Sequence, residues 1–191
     1  MFFDLIVVGA SWGGLDALTV LVRALPQDFA VPVVIVQHRG PDAESFLSGL
    51  LQQWTGRKVL EPEDKDPIEP GHIYVAPANY HLLVERGELS LSVDEAVAYS
   101  RPSIDVLFES AADAYGPGVI GVVLTGANAD GARGALRIKS RGGFVIAQDP
   151  ETAESPAMPR AAIETARVDR ILPLDRIGSF LVELCRTQHV T

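Results

Sequence analysis

The sequence predicts an α/β protein: a three-layer, doubly wound, mostly parallel β-sheet with helices on both faces and one small antiparallel hairpin. Three observations carry this reading. Strand-length apolar runs alternate with segments of helical period. The runs DLIVVG (4–9), VPVVIVQ (31–37) and GVIGVVL (118–124) are too continuously apolar to be half exposed, which suits parallel strands covered on both sides. With 191 residues and 47% hydrophobic content, the chain can bury one sizeable core, so residues 1–191 are expected to form a single domain.

The elements follow in order. After the first strand, Leu15, Leu18, Leu21, Val22 and Leu25 recur at helical spacing. The second strand stops at His38, and Asp42 is placed to cap a helix carrying Phe46, Leu47, Leu50 and Leu51. The acidic, proline-broken stretch EPEDKDPIEP (61–70) reads as a surface loop. HIYVAPA follows, and residues 81–93 predict a hairpin turning near Arg86, Gly87 and Glu88. Pro102 and Ser103 open a helix to about Tyr115, and the 118–124 strand leads into the loop TGANADG. A helix (132–141), the strand FVIAQ (144–148), a proline-bounded helix near 159–167 and a last helix from Asp175 complete the chain.

Composition narrows the function. A net charge of −9 argues against a general affinity for nucleic acid or anionic membrane, since phosphate binding needs a basic surface. No run approaches the ~20 apolar residues of a membrane span, and Asp4 spoils a signal peptide, so membrane insertion is not expected and the protein is placed in the cytoplasm. The lone Cys185 allows no internal disulfide, and His38, His72 and His81 lack the spacing of zinc motifs, so neither metal nor cofactor is expected.

Three polar residues stand out by position. Ser11 follows the first strand, His38 ends the second and Asp130 lies in the loop after the 118–124 strand, all at carboxyl ends where open α/β sheets bind ligands. One right-handed βα unit separates Ser11 from His38 and returns both to the same edge of the sheet. With the 118–124 strand on the other side of the first, Asp130 approaches His38 over the top. A serine hydroxyl needs an imidazole to take its proton, and the imidazole needs a carboxylate to fix its tautomer, so the three suit nucleophile, base and orienting acid. Each residue type also occurs at such places for plain structural reasons: serine as a helix cap, histidine as a hydrogen-bonding strand end, aspartate in a turn.

Two rival readings of the first turn fail on their own terms. Gly9–Gly14 resembles the dinucleotide fingerprint, but Ser11 replaces its middle glycine and the second strand ends in Gln37 and His38 rather than an acidic residue. The same residues contain G-x-S-x-G, yet only ten residues precede Ser11, too few for the strands that come before a nucleophile elbow.

The motifs VVGASWGG (7–14), VIVQH (34–38), PGHIYVAPANYHL (70–82), RPSIDVLFES (101–110), GVVLTGANADGARG (121–134) and ESPAMPRAA (154–162) together resemble the catalytic domain of the chemotaxis receptor protein-glutamate methylesterases, the CheB family. The resemblance implies a serine hydrolase that removes methyl groups from glutamate γ-methyl esters on chemoreceptor helices, with methanol released, and that can deamidate receptor glutamines. It puts the family's triad on Ser11, His38 and Asp130. The Trp12 amide is the first candidate for the oxyanion hole and the loop at Ala127 the second; Gly13, Gly14, Asn128 and His81 are expected around the pocket.

The chain also departs from the family pattern. The loop before the aspartate usually reads Leu-Thr-Gly-Met-Gly-x-Asp-Gly; here Ala127 and Asn128 replace the Met and the second Gly, and Asn128 is expected to keep the loop shape because asparagine tolerates left-handed geometry. Trp12 stands where the family usually has a small residue. Family members typically carry an N-terminal receiver domain, whereas this chain begins at the first catalytic-domain strand, so control by a separate receiver protein is one expectation. A non-catalytic binding module and an esterase for another ester remain open beside the leading reading.

Overall fold

A computed structural model describes residues 3–40 and 46–186. Strands β1 (Leu5–Ala10), β2 (Val33–Gln37), β3 (Lys58–Leu60), β4 (His72–Val75), β7 (Val119–Val123), β8 (Phe144–Gln148) and β9 (Arg170–Leu172) form a seven-stranded parallel sheet in the order β3-β4-β2-β1-β7-β8-β9. The order reverses at β1, with β2 on one side and β7 on the other, which creates the crevice where such folds bind ligands. Strands β5 (His81–Glu85) and β6 (Glu88–Ser92) pair as the separate antiparallel hairpin, turning at Arg86 and Gly87.

The apolar runs are central because both sheet faces are covered. Every residue of β1 and β7 is buried. On one face, α1 (Gly14–Ala24), α2 (Phe46–Gln52) and α6 (Leu174–Arg186) contribute Leu18, Leu21, Leu51, Ile177 and Leu181 to the core. On the other, α3 (Ile104–Tyr115), α4 (Ala132–Ser140) and α5 (Ala157–Ala166) pack Phe108, Ala112, Ile138 and Met158 against alternate strand residues, with the hairpin beside them. The expected three-layer α/β class is therefore what the chain adopts. The expected cap Asp42 lies outside the described residues.

Strands β3 and β9 have no counterpart in the sequence reading. Both are three-residue edge strands with partly exposed side chains. Arg57 helps anchor β3: its buried guanidinium donates to Val31 O (2.8 Å) and Gly71 O (3.1 Å) and lies over the Phe29 ring. Burial lowers its pKa to about 10.

Candidate active site

The sheet register brings the first two candidates together. Ala10 pairs with Gln37, so Ser11 and His38 are the next residues on neighbouring strands, and His38 N–H donates to Ala10 O at 3.0 Å. Strands about 4.8 Å apart leave their end side chains within hydrogen-bonding reach. His38 Nδ1 lies 3.2 Å from Ser11 Oγ, and Nε2 lies 2.7 Å from Asp130 Oδ2. Because an ionised carboxylate can only accept, Nε2 carries the proton and Nδ1 presents its lone pair to the serine.

Asp130 reaches His38 from the turn before α4, and its second task is to close the start of α3. Oδ2 also accepts from Ile104 N–H (2.7 Å), while Oδ1 accepts from Asp105 N–H and the Ser103 hydroxyl (both 2.9 Å). These amides are the unpaired donors of a helix N-terminus, where negative charge is favoured. Burial pushes the Asp130 pKa up, but the hydrogen bonds from His38 and the amides of Asp105 and Ile104 outweigh it, and the carboxyl stays below its ordinary value.

Asp105 returns the arrangement: from the first turn of α3, its Oδ1 accepts from Gly131 N–H (2.9 Å) and Gly134 N–H (2.8 Å) at the start of α4. Each of two neighbouring helices thus has its first amides bound by an aspartate from the start of the other: Asp130 just before α4, and Asp105 in the first turn of α3. Asp105 titrates in the opposite sense: burial, aided by the charge of Asp130, raises its pKa despite the bond from Gly134.

The nucleophile turn is held by side chains from three other segments. Gln37 Nε2 donates to both Ser11 O (2.8 Å) and His38 O (2.9 Å), tying the two strand ends together. A Cβ on Gly14 would lie only 1.8 Å from Gln37 Oε1, so glycine is needed for this bridge. Gly14 N–H donates to Ser11 O (2.8 Å), and Gly13 caps α1 with a left-handed φ of 76°. Buried Thr125 donates to Trp12 O (2.9 Å) and accepts from Ser155 N–H (2.8 Å), while buried Gln148 accepts from Thr125 N–H (2.9 Å). Gln37, Asp105, Thr125 and Gln148 had no assigned role in the sequence reading, and Ser103 was read only as a helix opener. Their only common signal was polarity inside otherwise apolar or helix-starting segments.

The pocket candidates separate. Trp12 is 66% exposed beside Ser11, and its N–H has no acceptor among the described residues. Ala127 is exposed, and Asn128 is half-buried with its amide 3.4 Å from His38 Nδ1. The expectation of left-handed geometry at Asn128 is corrected: its φ is not positive, so its side chain is the feature to account for. The expectation for His81 is also corrected. It is buried, accepts from Ser103 N–H (3.2 Å) and donates to Glu95 O (3.0 Å), and so holds the start of α3 instead of lining the pocket.

A cleft of about 310 Å³ opens beside His38, lined by Arg39, Asn79, Tyr99, Arg101 and Pro102 among others. Arg39 at its wall is paired with Glu61 at 2.7 Å. Cys185 is no rival nucleophile: it is buried between helix and sheet, and burial pushes its thiol up to about 11. Among the described residues no group of three His, Cys, Asp or Glu side chains could hold a metal ion.

Fold and cluster define an α/β protein with a serine–imidazole–carboxylate chain at its topological switch point. The pattern of the CheB methylesterases matches residues 6–181, and the chain belongs to that family. It is 46% identical over 96% of its length, and 96% of the relative's, to a protein of Leptospira interrogans named a putative protein-glutamate methylesterase/protein-glutamine glutaminase. It is 42% identical to a protein-glutamate methylesterase/protein-glutamine glutaminase of Anaeromyxobacter dehalogenans, of which it spans 54%. The crystal structure of the Thermotoga maritima CheB methylesterase catalytic domain superimposes with a TM-score of 0.91 at 34% identity, covering 96% of this chain and all of that one.

Proposed function

We propose that this chain is a protein-glutamate methylesterase that hydrolyses glutamate γ-methyl esters on chemoreceptor helices and also deamidates receptor glutamines. The observation that carries the reading is the continuous hydrogen-bonded path from Ser11 through His38 to Asp130. Family membership supports the substrate class.

Ser11 Oγ attacks the ester carbonyl as His38 Nδ1 takes its proton, and Asp130 stabilises the resulting imidazolium through Nε2. The tetrahedral intermediate collapses to an acyl-serine while His38 protonates the departing methoxide, releasing methanol. Water, deprotonated by His38, then attacks the acyl group, and Ser11 leaves with the proton returned to it. The Trp12 N–H, at the start of α1, is the first backbone donor for the oxyanion, with the Ala127 loop second.

The reading places the protein in the cytoplasm; no helix among the described residues is long and apolar enough to cross a membrane. It takes residues 1–191 as one catalytic domain and a separate receiver protein as the regulator. The test is methanol release from methylated chemoreceptor membranes, comparing the unaltered chain with Ser11→Ala at equal concentration. Release by the first that falls at least about 10³-fold in the variant supports the reading. Silence from the folded, unaltered chain, on receptors that another family member demethylates, favours a binding module or a different ester.

A further inference from the structure

We propose that Asn128 is a catalytic residue whose side-chain amide is a switched donor to the oxyanion; the proposal rests on the serine hydrolase reading above. The hydrogen bonds fix its orientation. Asn128 Oδ1 accepts from Asp130 N–H at 3.1 Å, so the NH₂ end faces His38, with Nδ2 3.4 Å from Nδ1. The imidazole proton sits on Nε2 against Asp130, so Nδ1 has one lone pair, and both Asn128 Nδ2 and the Ser11 hydroxyl at 3.2 Å approach it. Two donors therefore share one acceptor in the resting enzyme.

Proton transfer breaks this sharing. When Ser11 forms its bond to the ester carbon, its proton moves to Nδ1, which then carries N–H and accepts nothing. The Asn128 N–H loses its acceptor in the step that pushes the carbonyl electron pair onto oxygen. That new oxyanion is bonded to the carbon attached to Ser11 Oγ, and the amide and Oγ lie 3.4 Å and 3.2 Å from the same Nδ1. The donor is thus engaged elsewhere in the ground state and released as charge develops, and an interaction stronger in the transition state than before it accelerates the reaction. When His38 surrenders the proton to methoxide, Nδ1 again accepts and the amide returns. No external reagent is needed, and the proton count is that of ester hydrolysis.

The test uses the full chain and two substitutions. Asn128→Asp keeps an oxygen for Asp130 N–H and removes the donor; Asn128→Ala removes the donor without adding charge. We expect both to lower kcat for methanol release by about 10²-fold while KM changes by less than about threefold. A fluorophosphonate, which joins its phosphorus to Ser11 Oγ and expels fluoride through a similarly charged oxygen, supplies a readout independent of the natural ester. Both variants should be phosphonylated about 10²-fold more slowly, with an unchanged unfolding midpoint for Asn128→Asp. An Asn128→Ala protein reacting at the unaltered rate overturns the proposal, as does a loss confined to KM or matched by a lower midpoint. Failure of the unaltered chain to be labelled at Ser11 overturns the nucleophile reading and the proposal together. Labelling without methanol release rejects only the ester, and the variant rates still decide on Asn128.

Discussion

Asp130 accepts four hydrogen bonds of 2.7 to 2.9 Å with its side chain shut off from solvent, whereas the contact from the Ser11 hydroxyl to His38 is 3.2 Å long beside an exposed tryptophan. The acid end of the path is part of the framework; the nucleophile end stands in an open crevice. Substrate can then complete the serine geometry on arrival, while the orientation of the imidazole is settled beforehand.

The largest expected effect sharpens this contrast. Asp130→Asn should cut turnover by about 10⁴-fold, because an amide facing Nε2 favours the wrong tautomer. It should also lower stability by roughly 1–3 kcal/mol in urea unfolding, since an amide NH₂ facing His38 cannot accept from the buried Ile104 N–H. Ser11→Ala should match the loss of activity with a stability change of less than about 0.5 kcal/mol. Equal stability losses would erase the distinction between the two ends.

The pH dependence of folding carries the same signature. The Asp130 pKa lies below its ordinary 3.8, so its contribution is fully present above that value and is lost as pH falls through the lower, folded one. Asp105 is raised above 3.8, so its contribution is present below that value and is lost as pH rises through the higher one. Asp130→Asn should therefore flatten the loss of stability below about pH 3.8 and weaken, without reversing, the opposing Asp105 trend, which burial sustains after the charge of Asp130 is gone.

A smaller effect is expected at Gly126, on the open side. A Cβ there would stand 2.9 Å from Ser11 Cβ and 2.4 Å from Met158 Cε, so Gly126→Ala must shift one or both. Displacing the nucleophile by a fraction of an ångström should reduce kcat by about 10²-fold at a stability cost of roughly 1–3 kcal/mol. His81→Ala should do least to the chemistry: a loss of about 1–3 kcal/mol in unfolding free energy, with activity per folded molecule within about tenfold. A collapse of kcat in a folded His81→Ala protein would return that residue to the catalytic apparatus.

The sequence reading reached the fold because buried parallel strands leave a continuous apolar signature, visible in β1, β2, β7 and β8. It missed β3 and β9, whose short, partly exposed edges pair on one side only and need no such run. Ser11, His38 and Asp130 were legible from strand-end position alone. The partnership of Asp130 with the start of α3, some 26 positions away, was not, because a cap supplied by another helix leaves no local pattern. Ser103 was legible as a helix opener, since it does cap α3, but its hydroxyl's bond to Asp130 depends on packing that only the folded chain reveals. Gln37 and Thr125 were hidden for a like reason: each serves backbone groups brought close by the sheet.

The exchanged caps of α3 and α4 bear on how this protein can drift under mutation. A lineage freed from selection for hydrolysis, yet still selected to fold, can discard Ser11 at almost no structural penalty, while Asp130 and Asp105 stay under constraint because each secures the other's helix. Inactive descendants should therefore be recognisable by an intact pair of aspartates facing a vacant serine position.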